Sequence, residues 1–170
     1  MNNGIIVRKA TETDLRAMLD IYNEIILHTT AVYDYEPHTL EMRKQWWKDK
    51  QEQGFPVFVA EENGRMLGFS TIGPFRAWAA YQHTVENAVY VNEKVRAKGI
   101  GKLLIPPLIE SAAALGMHTI VAGIDAANEA SLRLHQHFGF KEVAHFKQVG
   151  WKFNRWLDLK FLQLILEDQH

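Results

Sequence analysis

The chain has 170 residues, 47% of them hydrophobic and 23% charged, with a formal net charge of −1 and no cysteine. That length and composition predict one globular domain over residues 1–170, and the near-neutral charge gives no reason to expect nucleic acid or an anionic membrane as a partner. The lack of cysteine excludes disulfides, thiolate zinc sites and an acyl-cysteine intermediate.

Met1-Asn2-Asn3-Gly4 has neither the basic stretch nor the apolar core of a signal peptide. No apolar run approaches the ~20 residues of a membrane span, so a cytoplasmic protein is expected. Ile5-Ile6-Val7 reads as a strand, and Thr11-Glu12-Thr13-Asp14 as a capping box that opens a helix. In that helix Leu15, Met18, Leu19, Tyr22, Ile25 and Ile26 recur at helical spacing and form a core stripe. A second helix is predicted over residues 40–53, stopped by Gly54 and Pro56. Strands at residues 57–61 and 66–72 flank Asn63-Gly64, a hairpin turn. A strand at 84–91, a helix at 99–115, a strand at 119–124 and a helix at 128–138 follow, with late strands near 140–149 and 156–166. Pro106 and Pro107 each delete a helical donor, at a typical cost of ~3 kcal/mol, and predict a kink or an irregularity. This order of elements implies an α/β (α+β) fold, a mixed sheet with helices on both faces.

Between the strand Val89-Tyr90-Val91 and its helix lies Arg96-Ala97-Lys98-Gly99-Ile100-Gly101-Lys102. Glycines let backbone N–H groups converge on one anion, the helix start adds its positive end, and three cations bracket the turn, so the segment reads as a pyrophosphate cradle. It reads equally as a plain strand-to-helix turn. A Walker A loop would need glycine where Arg96 stands and Ser or Thr where Leu103 stands; a dinucleotide fingerprint would need glycine at Leu104.

The Arg-x-x-Gly-x-Gly pattern after a Val-Tyr-Val strand resembles the acetyl-CoA loop of the GNAT superfamily of N-acetyltransferases. The blocks Thr84-Val85-Glu86-Asn87-Ala88-Val89-Tyr90-Val91, Arg133-Leu134-His135 before Gly139-Phe140, and Trp156-Leu157-Asp158-Leu159 resemble the phosphinothricin and methionine sulfoximine or sulfone N-acetyltransferases. The resemblance implies a GNAT-like fold with a central, mostly antiparallel sheet. It also implies acetyl-CoA as co-substrate, no metal, and a homodimer with the acceptor site near the interface.

The resemblance further implies roles by position. Val89, Tyr90 and Val91 would offer backbone groups to pantetheine and the acetyl carbonyl. Ala97, Lys98, Gly99, Ile100, Gly101 and Lys102 would hold the pyrophosphate. Asn128 would bind CoA, and it also suits a helix N-cap. Arg76, Ala77, Trp78, Glu86, Asn87 and Ala88 would surround the acceptor, with Arg76 as the oxyanion anchor. Primary amines are mostly protonated at neutral pH, so a base is needed, and Glu86 is the candidate. As a bare letter Glu86 also fits a solvent-facing strand position. His135 stands as acid, base or pocket wall.

The expected activity is therefore direct acetyl transfer, in a ternary complex, to the α-amino group of a small amino-acid analogue. The alternatives are another amine, such as a protein N-terminus, or a CoA-binding module without turnover.

Overall fold

The computed structural model describes residues 4–167. Its elements run β1 (Ile5–Lys9), α1 (Leu15–His28), α2 (Leu40–Gln53), β2 (Val57–Glu62), β3 (Arg65–Pro74), β4 (Thr84–Val91), α3 (Ile100–Ala114), β5 (Thr119–Asp125), α4 (Glu129–His137), β6 (Lys141–Lys152) and β7 (Arg155–Ile165). The strands form one seven-stranded sheet in the order β1-β2-β3-β4-β5-β7-β6. Every neighbouring pair is antiparallel except β4 with β5. This is the α/β mixed sheet that the order of elements implies.

The chain's punctuation sets these boundaries. Asp14 accepts from the Thr11 backbone N–H at 2.7 Å ahead of α1 and holds Arg8 at 2.8 Å. Thr39 caps α2 by accepting from the Met42 N–H, and Gly54 ends it in the left-handed region at φ 74°. Asn63 and Gly64 both take positive φ between β2 and β3, as a tight hairpin needs. The final hairpin turns through Phe153 and Asn154, also at positive φ, which no glycine in the sequence announces.

Residues 57–60 of β2 are all buried because both faces of the sheet are covered. Val57 and Val59 join Phe69 under the α1 stripe of Leu15, Met18, Ile21 and Ile25. Phe58 and Ala60 face the opposite layer, where Ile100, Leu104, Leu108 and Ala112 of α3 recur every fourth residue. α3 runs as one helix through Pro106 and Pro107.

The second helix buries something different. Its buried residues are Arg43 and Lys50, which with Trp46 occupy the i, i+3, i+7 stripe. No helix among the described residues is long and apolar enough to cross a membrane.

Candidate active site

The site forms where the sheet comes apart. β4 pairs with β3 along its whole length, but with β5 only through Thr84↔Thr119, Val85↔Ile120 and Glu86↔Val121. From Asn87 onward the β5-side edge of β4 has no strand partner, and its backbone polar groups are available to a ligand. Two cavities open at this split, of about 590 and 530 Å³. Ala31, Val89, Tyr90, Asn128 and Ser131 line both.

Glu86 lies at the fork and lines the larger cavity. A Cβ on Gly123 of β5 would stand 3.2 Å from Glu86 Oε1 and 3.3 Å from the Phe161 ring, so glycine there leaves room for both. Burial pushes the Glu86 carboxyl above its ordinary range, and the charge of Arg76 pulls it partly back. A carboxylate with a raised pKa is a stronger base than an exposed one.

Asn87 and His135 meet on the opposite face. His135, 3% exposed, sits on α4 with its ring edge-on to Phe140. Its Nδ1 lies 2.8 Å from the Ser131 carbonyl, which can only accept, so Nδ1 carries the proton. Nε2 then accepts from the Asn87 side-chain amide at 3.1 Å. Burial holds the imidazole below its ordinary pKa, consistent with this neutral form. In this arrangement His135 has no proton on Nε2 and orients Asn87, whose carbonyl oxygen is left for a ligand.

The smaller cavity is lined by Val91, Gly99, Ile100, Gly101 and Lys102 together with the shared residues. Gly99, at φ 71°, precedes α3 and has no side chain to cap it; Lys102 N–H donates to the Gly99 carbonyl at 3.2 Å, which leaves the N–H groups of Ile100 and Gly101 without a side-chain cap at this cavity. Gly101 lines this cavity, and a Cβ there would lie 2.6 Å from Leu134 Cδ2, so glycine also lets α3 start close against α4. Lys98 ends the 3-10 segment Glu93–Lys98 and is not among the lining residues. Arg96 lines the cavity while pairing with Glu93; Lys98 reaches Glu62 at 3.3 Å. Asn128 caps α4 by accepting from the Ser131 N–H at 3.2 Å, which leaves its amide donors facing the shared wall.

Ala88 lines the larger cavity beside Glu86 and Asn87. Arg76, Ala77 and Trp78 do not line it; all three are exposed on the segment after β3, with the Arg76 guanidinium 5.1 Å from the Phe75 ring centroid.

Residues that pattern reading passed over complete the walls. The Tyr33 hydroxyl shares its one proton between the Asp158 carbonyl at 2.9 Å and the Asp125 carboxylate at 3.2 Å, which pins the loop after α1 over the larger cavity. Arg43 and Lys50 of α2 line the same cavity with Trp46. Lys50 donates to the Ile72 carbonyl at 2.6 Å, and burial lowers its pKa to about 8. The inward spacing on α2 could have exposed both cations, had charged residues been allowed on a buried stripe.

A forked β4 edge, an uncapped helix start after Gly99, and a buried carboxylate between two cavities suit a ligand with an extended polar arm and an anionic head. Comparison with known proteins agrees. The acetyltransferase (GNAT) domain family matches residues 7–160. The chain is 41% identical over 162 residues, 95% of each chain, to the L-methionine sulfoximine/L-methionine sulfone acetyltransferase of Salmonella typhimurium. It is 39% identical over 160 residues, 92% of this chain and 94% of the other, to a phosphinothricin N-acetyltransferase of Streptomyces coelicolor. The structure of a Salmonella typhimurium acetyltransferase with its cofactor acetyl-CoA matches at a TM-score of 0.95 and 41% identity, covering 98% of this chain and 96% of that one. By its sequence over most of its length and by its fold, the chain belongs to the acetyltransferase (GNAT) domain family.

Proposed function

We propose that this protein is a single-domain, acetyl-CoA-dependent N-acetyltransferase. Its acceptor is the α-amino group of a small amino-acid analogue of the phosphinothricin, methionine sulfoximine or methionine sulfone type. One observation carries the reading: Glu86, with a raised pKa, lies in a cavity that shares Val89, Tyr90 and Asn128 with the cavity at the α3 start. Two reactants can therefore be held side by side, and with no cysteine in the chain we assign direct transfer in a ternary complex.

Acetyl-CoA fits the smaller cavity. Val89, Tyr90 and Val91 lie on the unpaired strand edge, which suits the amides of pantetheine, and the backbone from Ala97 to Lys102 with the uncapped turn suits a pyrophosphate. When bound, it would supply a thioester whose carbonyl carbon takes the amine as the C–S bond breaks, CoA leaving as a thiolate that takes its proton from solvent. The unpaired N–H groups of the β4 edge face where charge would develop on the carbonyl oxygen. Glu86 takes the proton of the ammonium group, directly or through a water. Asn87, fixed by His135, orients the amine through its side-chain oxygen. Ala88 contributes wall.

Arg76, Ala77 and Trp78 form the outer rim of the acceptor site. The Arg76→Ala variant should shift the acid limb of the kcat/KM profile to higher pH, because the cation that lowers the Glu86 pKa is gone. Since Arg76 is exposed, that shift should shrink as salt rises. A profile unmoved at low salt would remove Arg76 from the electrostatics of the base.

A homodimer completes the reading. The β6–β7 hairpin, at the sheet edge, exposes Val143, Phe146, Val149, Trp151, Phe153 and Trp156, each at least 45% accessible. Phe146 packs on Phe161, which lines the acceptor cavity, so a second copy seated there would lie beside that cavity. Light scattering should report a dimer for the native chain and a monomer for Phe146→Glu.

The activity itself is tested by thiol release from acetyl-CoA across phosphinothricin, methionine sulfoximine, methionine sulfone, simple amines and a peptide with a free N-terminus. The chain has no thiol of its own to add background. Release with the amino-acid analogues supports the reading; release only with peptide N-termini, or with no acceptor despite acetyl-CoA binding, overturns it.

A further inference from the structure

Arg43 is the least explained charge in the molecule. It is 4% exposed, on the inward stripe of α2, and lines the acceptor cavity. Its guanidinium carbon lies 4.4 Å from the Tyr22 ring centroid, 4.6 Å from Trp46 and 5.9 Å from Phe69. Its Nε is buried without a hydrogen-bond partner among the described residues. Among the described residues, the ionisable groups that act on it are the Tyr22 and Tyr90 hydroxyls and no carboxylate.

Arginine does not neutralise itself in a protein, so the site keeps a full positive charge in an aromatic box. Cation–π contact offsets part of the desolvation but does not satisfy the N–H fork. A buried cation without a counter-ion is a strong demand for an anion, and the cavity is where one can enter. Lys50, on the same stripe, is already held by the Ile72 carbonyl, which leaves Arg43 to meet the demand. Tyr90 lies between the two functions, since its hydroxyl feels both Arg43 and Glu86. The cation and the base thus line one cavity, with Tyr90 in its wall.

We propose that Arg43 is the internal oxyanion receptor of the acceptor site, holding a carboxylate or oxyacid group of the amino acid while its amine is presented to Glu86. This rests on the amino-acid acetyltransferase reading above and deepens it. It assigns recognition of the anion to α2 rather than to the exposed Arg76.

The test compares three acceptors in the full-length native enzyme, R43Q and R43K: phosphinothricin, methionine sulfone, and the amine left when methionine sulfone loses its carboxylate. For R43Q, KM for the recognised amino acids should rise about 30-fold or more, the scale of losing one partner of a desolvated charge pair, with a much smaller change in kcat. R43K, which keeps the charge and loses the fork, should fall between R43Q and the native enzyme. Loss on both amino acids but little on the decarboxylated amine assigns Arg43 to the α-carboxylate. Loss concentrated on phosphinothricin assigns it to the side-chain oxyacid. Equal loss on all three overturns the proposal. Independently of turnover, methionine sulfone and phosphinothricin should raise the melting temperature of the native protein, and the raised ligand should lose that effect in R43Q; retention of the full shift also overturns it. A native enzyme that acetylates none of the three overturns the functional reading, and this assignment with it.

Discussion

Glu86→Gln should lower kcat by about 10²–10⁴-fold, the usual worth of a general base. Acetyl-CoA affinity should stay within a few-fold of native, because Glu86 lines the larger cavity and not the one at the α3 start. The pH profile makes the assignment specific. A base works only unprotonated, so the native rate falls as pH drops through the Glu86 pKa, which burial places above the ordinary ~4.3. Glutamine cannot titrate, and that limb should vanish in the variant. A purified Glu86→Gln enzyme with near-native turnover at neutral pH would sink the assignment.

Gly68→Ala should reduce both stability and acetyl-CoA binding. Gly68 of β3 faces Val91 of β4, and a Cβ there would stand 2.7 Å from the Tyr90 carbonyl oxygen, 3.2 Å from Leu104 and 3.3 Å from Ile100. The carbonyl belongs to the backbone and cannot rotate away, so either the ladder opens or α3 lifts off the sheet. Overpacking of this kind costs about 1–3 kcal/mol. For a chain of 170 residues that corresponds to a drop of several degrees in melting temperature, at about 2–4 °C per kcal/mol. Both displaced parts border the smaller cavity, so calorimetry should show weaker acetyl-CoA binding in the folded variant. An unchanged melting temperature would mean that β3 and β4 yield more easily than a paired ladder should.

Legibility in the sequence followed the range of the interaction. Helix α2 and strand β4 have the boundaries that the sequence predicts because local chemistry marks them: Thr39 caps, Gly54 stops, and the apolar run Ala88-Val89-Tyr90-Val91 announces the strand. Glu86, Asn87 and the Gly99 turn were visible for the same reason, as parts of one short block. What escaped was nonlocal. The end of the β4–β5 pairing after Glu86 depends on how two distant segments diverge, and no residue in either records it. Tyr33 meets Asp125 across 92 positions. Arg43 escaped for another reason: hydrophobic periodicity weights apolar letters, and on α2 the buried stripe carries its charge inward. The tautomer of His135 could be decided only by the carbonyl of Ser131 on one side and the amide of Asn87 on the other.

The three rungs that join β4 to β5 are also the seam between a four-stranded block, β1 to β4, and a three-stranded block of β5, β7 and β6. A ligand lying along the vacant edge of β4, as proposed for acetyl-CoA, would act as a keystone there. It would substitute for rungs the protein does not make, so part of the sheet's cohesion would be lent by the molecule it processes. Release of that arm after each turnover would leave β4 and β5 joined by those three residue pairs, with α3 packed on the β2–β4 side of the seam.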